Sequence, residues 1–183
     1  MSDFKMPIEH ELWLKTDGKE GQQFNLAGKD FSNKDLTNSI IIDVIFDGVN
    51  MDYADLSYSN LGYCSFKYAS LINSIIVKAE ANDTVFERAK LNNCNFFRTT
   101  FIRTNFSQAD LRNTNFSGTL LKEADFSNAI LDKCLFAEAS LSGARGLETV
   151  KLKWIDIGQN GCIKKLYGIE AIRWLQREAE KPL

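Results

Sequence analysis

Every fifth residue from Leu26 to Leu141 is apolar, 24 positions in succession without a slip. With 44% of the chain apolar, chance would give such a run on the order of once in a few hundred million trials. Neither common element explains it. On an α-helix five residues turn about 500°, so successive members drift about 140° and share no face. On a flat strand an odd step alternates sides.

A second rule runs beside the first. Two residues before each centre, from Ser39 to Ala139, stands Ser, Val, Ala, Cys or Thr at all 21 positions. A large inward group with a small one beside it describes a chain that turns a corner every five residues, with both groups facing one axis. Such a chain is a solenoid. Reading every twentieth residue aligns Phe46, Phe66, Phe86, Phe106 and Phe126 in one column and Phe96, Phe116 and Phe136 in another. Leu71, Leu91, Leu111 and Leu131 form a third. A repeat of twenty above a repeat of five means four sides per coil, so the run makes about six coils, roughly 25–30 Å tall at ~4.8 Å spacing. Ala81 is the one weak centre, and the ring of Phe101, one coil on in its column, is predicted to lean into the space it leaves.

The stretches "ADLSYSNLGYCSF", "QADLRNTNFSGTL" and "EADFSNAILDKCLF" resemble the A(D/N)LXX motif of pentapeptide-repeat proteins. The resemblance implies an all-β solenoid, a right-handed quadrilateral β-helix with mostly type II and type IV turns. Members of that family include proteins that look like DNA and protect type II topoisomerases, cyanobacterial regulators and secreted effectors. No common enzymatic activity comes with the fold, and fold does not fix function.

An open solenoid exposes its apolar end and unpaired edges, so both ends need covering. Three regions are expected: an N-terminal capping segment at 1–21, the β-helix at 22–145, and a C-terminal hairpin and capping helix at 146–183. Pro7 at a helical N1 position, Ile8 and Leu12 four apart, Trp13, and Gly18 as a stop predict a short helix over the first coil. Phe24, Lys29 and Lys34 break the small-residue rule, as an atypical first coil should. After Leu141 the period fails at Gly146 and Lys151. Asn160-Gly161 then marks a hairpin turn. An amphipathic helix follows, with Ile172, Leu175 and Ala179 on one side and Arg173, Gln176 and Glu180 toward water. It covers the last coil or, as in the topoisomerase-protecting relatives, makes a dimer. Trp174 suits either use, so the chain is read as a monomer or a C-terminal-helix homodimer.

No catalytic constellation emerges. Cys64, Cys94 and Cys134 all fall in the small inward slot, and Cys94 and Cys134 stand two coils, ~10 Å, apart, beyond disulfide reach. His10, the one histidine, lies beside Glu9 and Glu11 without a clustered ligand set. Asp55, Asn60, Asn95, Asn105, Asp110, Asn115 and Asp125 precede centres, where short polar side chains bond turn backbone. No phosphate loop, nucleophile elbow or zinc spacing occurs. The chain is therefore expected to be no enzyme and to need no metal or cofactor, with no small-molecule substrate.

The outer faces remain. On two adjacent sides Ile75, Val77, Phe97, Arg98, Ile102, Arg103 and Leu120 are predicted to form a protein-binding edge. Tyr53, Tyr58, Tyr63 and Tyr68 girdle the rod once and are a second candidate. The alternative is a DNA mimic that protects or inhibits a type II topoisomerase. A mimic needs a long acidic face, but residues 22–145 hold 14 acids and 12 bases, and Arg88, Arg98 and Arg103 interrupt any stripe. With net charge −2, binding to nucleic acid or anionic membrane is not expected. No apolar run approaches the ~20 residues of a membrane span. The start lacks a Sec-type leader, so a cytoplasmic location is expected, although a protein exported by another route would look the same.

Overall fold

The computed structural model describes residues 5–182; the first four residues of the expected N-terminal cap lie outside that range. The period of five is a four-sided coil. Single bridge residues pair in parallel with the residue twenty further on, from Asn25 with Ile45 to Asp125 with Arg145. Each side is too short to be a strand by itself. Its backbone is satisfied by the coils above and below, as buried amides and carbonyls require. Centre residues donate upward, as Phe46 N–H does to Ser65 O at 2.7 Å, and bridge residues donate downward, as Ile45 N–H does to Phe24 O at 2.9 Å.

The predicted columns stack. Phe46, Phe66, Phe86, Phe106 and Phe126 are fully buried, with successive ring centroids 4.9–5.4 Å apart and 5–12° from parallel. Phe116 and Phe136 repeat the arrangement at 5.2 Å and 7°, whereas Phe96 stands 5.3 Å from Phe116 with its ring tilted by 58°. Phe101 lies edge-on to its chain neighbours Phe96 at 4.9 Å and Phe106 at 5.1 Å, and at 6.3 Å to Phe86.

The small slot has a second use. Cys64, Cys94 and Cys134 donate Sγ–H to the carbonyls of Ile41, Leu71 and Leu111 at 2.9–3.1 Å. Thr84, Thr104 and Thr114 do the same to Leu61, Ala81 and Leu91 at 2.7–2.9 Å. Small size fits the bend, and a hydroxyl or thiol there also serves a buried carbonyl one coil down.

Corners carry a constraint of their own. Every corner residue from Gly28 to Gly143 has φ between 53° and 70°. A positive φ at the third residue of a turn is what type II geometry demands. Four corners are Gly and the rest are Asn, Asp, Tyr, Lys, Arg, Gln or Glu, with no β-branched residue among them.

The spiral does not end at Arg145. An extra residue enters near Gly146, and pairing resumes one place out of phase, Ile130 with Lys151 and Leu135 with Asp156. Leu147, Leu152 and Ile157 keep the step of five in the new phase and pack on the core. Gly146, at φ 73°, is required here, because a Cβ would fall 2.3 Å from Ser127 N.

Beyond it β1 (Trp154–Asp156) pairs antiparallel with β2 (Lys165–Tyr167). Asn160 and Gly161 both have positive φ, and Cys162 N–H bonds Gln159 O, the type I′ geometry their sequence favours. A helix at Gly168–Ala179 follows directly. It buries Ala171 and Leu175, packs Ile172, Trp174 and Ala179 on the core, and accepts the Gly143 N–H at Ala179 O. Trp174 lies 6.3 Å from Phe136 and faces its own chain.

At the other end α1 (Ile8–Lys15) forms where expected, but its buried face differs from the expected one. Ile8 is 78% exposed and Leu12 is exposed too, while His10 is fully buried. Among the described residues no helix is long and apolar enough to cross a membrane.

Candidate partner-binding surface

The bridge-position carboxylates and amides are occupied locally. Asp30, Asp35, Asp55, Asn60, Asn95, Asn105, Asn115 and Asp125 each accept a backbone N–H two residues on through Oδ1, at 2.8–3.2 Å. Asp110 makes the same turn and binds the Arg112 guanidinium. These acids are turn formers, spread along the sides rather than converged on a point. Among the described residues no three His, Cys, Asp or Glu side chains form a group that could hold a metal. Burial pushes the Cys64 and Cys94 thiols up to about 12 and Cys134 higher still, so they are neutral packing groups.

The proposed edge spans one corner and the two sides that meet there. Val77 and Phe97 occupy the same slot in successive coils, joined by Lys78 N–H to Phe97 O at 3.0 Å. The Arg98 guanidinium lies 5.0 Å over the Phe97 ring, a cation–π arrangement. Ile75 is 42% exposed on the same side, whereas Val77, Phe97, Ile102 and Leu120 are half-buried. Round the corner, Asn82 Oδ1 accepts the Ile102 N–H. Arg103 grips Asp83 through two bonds of 2.6–2.7 Å, which among the described residues leaves Arg98 as the edge's cation without an acid partner. The fold thus gathers all seven residues on adjoining surfaces, with apolar groups partly exposed around one arginine-covered ring.

The four tyrosines occupy successive corners, each more than half exposed. Two are engaged from the coil above: Lys78 stands over Tyr58 at 5.5 Å, and Arg88 lies over Tyr68 and bonds its hydroxyl at 2.7 Å. Pointing four ways around the rod, they offer no flat partner a common face.

Two family models match the sequence, one described as pentapeptide repeats (8 copies) over residues 82–118 and one as pentapeptide repeats (9 copies) over 101–145. The chain is a pentapeptide-repeat protein. No curated protein matches it. Among solved structures, this pentapeptide-repeat protein is similar to HetL, which is involved in heterocyst differentiation regulation in the cyanobacterium Nostoc sp. strain PCC 7120. The identity is 20% over 87% of this chain and all of HetL, with a TM-score of 0.42. It is also similar to QnrB1, a plasmid-mediated fluoroquinolone resistance protein, at 20% identity over 74% of this chain and 80% of that one, TM-score 0.49. A pentapeptide-repeat protein from the cyanobacterium Cyanothece 51142 matches at 22% over 75% and 83%, TM-score 0.36. Likeness of this degree says nothing about a role.

One residue of consequence was not legible as such. His10 Nδ1 accepts the Phe24 N–H at 2.9 Å, which leaves Nε2 as the donor to Ile42 O at 2.8 Å. By the pattern of later coils, where Asp43 N–H bonds Gly62 O, Ile42 O would take an N–H from a preceding coil. The imidazole supplies it. Beside it Trp13 Nε1–H bonds Asp43 Oδ2 at 2.7 Å.

Proposed function

We propose that this pentapeptide-repeat protein is a non-catalytic binding module that engages a protein partner through Ile75, Val77, Phe97, Arg98, Ile102, Arg103 and Leu120. It carries that edge on a right-handed quadrilateral β-helix of about six coils, with α1 against one side of the first coil and the hairpin and last helix over the last. The observation that carries the reading is the Phe97 ring under Arg98 beside an exposed Ile75. Aromatic and arginine side chains in contact with apolar neighbours are the groups that dominate protein interfaces. Four unpaired cysteines accord with a reducing, cytoplasmic setting.

The test is affinity capture from the native cell. Phe97→Asp with Ile102→Asp should abolish recovery of the partner while the variant remains folded by circular dichroism. Undiminished capture by the double variant would end this reading.

A further inference from the structure

The open end of a coil stack is a template for another coil. On the N-terminal edge, bridge residues such as Asp30 and Asp35 pair upward, with Asn50 and Asp55. Among the described residues no coil lies below them. α1 stands at Ile42 and Asp43 on the fourth side, and both carboxylates remain exposed. Unpaired edges of this kind recruit further chains unless charge or shape prevents it.

The first coil departs from all later ones at the slot that faces the axis. Elsewhere that slot holds a small residue, as at Ala54, Ala69 and Ala109, all buried. Here it holds Lys29 and Lys34, both exposed. Their backbones keep the usual bonds: Lys29 N–H to Leu26 O, and Asn50 N–H to Lys29 O. Only the side chains are unlike the rest of the stack. A coil set beneath them would bury two ammonium groups in an apolar interior, which costs far more than the added packing returns.

We propose that Lys29, Asp30, Lys34 and Asp35 form an electrostatic stop on the N-terminal edge, which keeps a second copy of this chain from stacking on it head to head. A second copy is the partner to consider because two identical edges meet about a two-fold axis, the commonest symmetry of soluble oligomers. Such an axis, set across the rod through the 31–34 turn, brings Asp30 of one copy opposite Asp35 of the other. Like charges directly opposed destabilise a ladder. The Ser32 and Thr37 amides bound to these carboxylates hold both below the usual carboxylate range, so the opposition is present at neutral pH.

The test removes the charges and keeps the geometry. Asp30→Asn and Asp35→Asn retain the Oδ1 that accepts the Ser32 and Thr37 amides; Lys29→Ala and Lys34→Ala restore the residue type of later coils. Sedimentation of the fourfold variant across a wide concentration range should give twice the wild-type mass. Returning Asp30 or Asp35 singly to the fourfold variant should in each case lower the dimer fraction. The lysine pair alone, which leaves both turn acids in place, should self-associate more than wild type and less than the fourfold variant. A folded variant, by circular dichroism, with unchanged mass overturns the proposal. Equal doubling in the lysine-pair and fourfold variants also overturns it, because the acids then do not oppose the contact.

Discussion

His10 Nε2 donates to the carbonyl of Ile42 at 2.8 Å, thirty-two residues away. The imidazole takes the place that a backbone N–H holds in later coils, and its other nitrogen takes the Phe24 amide. Substituting His10 by Ala removes both bonds and leaves a partly buried donor and acceptor unmatched, each worth about 1–2 kcal/mol at such sites. Denaturant unfolding of His10→Ala should therefore show a loss of about 2–4 kcal/mol, with proteolysis beginning in α1. Wild-type stability in that variant would show that the clamp does not hold the segment.

Thr104 tests the bonding function of the small slot apart from its size. Its Oγ1 donates to Ala81 O at 2.7 Å in a fully buried position. Thr104→Val keeps the shape and removes the donor, so a loss of about 1–3 kcal/mol is expected in thermal or denaturant melts. A neutral effect would mean that only volume matters at the bend.

Lys133 sits on a corner at φ 65° with its side chain in water. A left-handed conformation costs an L-residue about 1–2 kcal/mol, and Gly escapes most of it at some cost in chain entropy. Lys133→Gly should raise stability by about 0.5–1 kcal/mol, whereas Lys133→Val should lower it by at least about 1 kcal/mol. The same stability for both substitutions would contradict the corner assignment.

Thiol chemistry separates core from surface. Burial moves Cys64 and Cys94 from an ordinary 9.0 up to about 12, while Cys162 is exposed. A disulfide-exchange reagent at mildly alkaline pH should react with one thiol per folded chain and four after denaturation. The sign of the linkage follows: the folded state withholds ionisation that the unfolded state gains, so stability is full below pH 9 and falls as pH rises toward about 12. Rapid labelling of two or more thiols in the folded protein would contradict the packing.

The core was legible because every fifth side chain must fill the same bend, and that need leaves a size pattern in the letters. The corners leave a fainter trace, the absence of Val, Ile and Thr at every step from Gly28 to Gly143, which positive φ explains once the structure shows where the corners fall. His10 was not, because its partners are the backbone of Phe24 and Ile42, which bond alike whatever residue carries them. Continuation past Arg145 was hidden by one inserted residue: on the old lattice Gly146 and Lys151 read as failures, yet Leu147 and Leu152 are the true centres. The outer faces are the least legible. Their slots are compatible with almost any side chain: the repeat register puts Phe97 and Ile102 on adjoining sides, but the Arg98 guanidinium over Phe97 and the Arg103–Asp83 pair appear only in the structure.

Site-specific photocrosslinking measures most directly whether the edge around Phe97 is where this protein acts. A photoreactive amino acid at Phe97, in the native cell, is expected to capture one discrete protein. The same group at Asn128, exposed on the diagonally opposite corner, is expected to capture none. Equal adducts at both positions, or an adduct at Asn128 alone, would contradict the account.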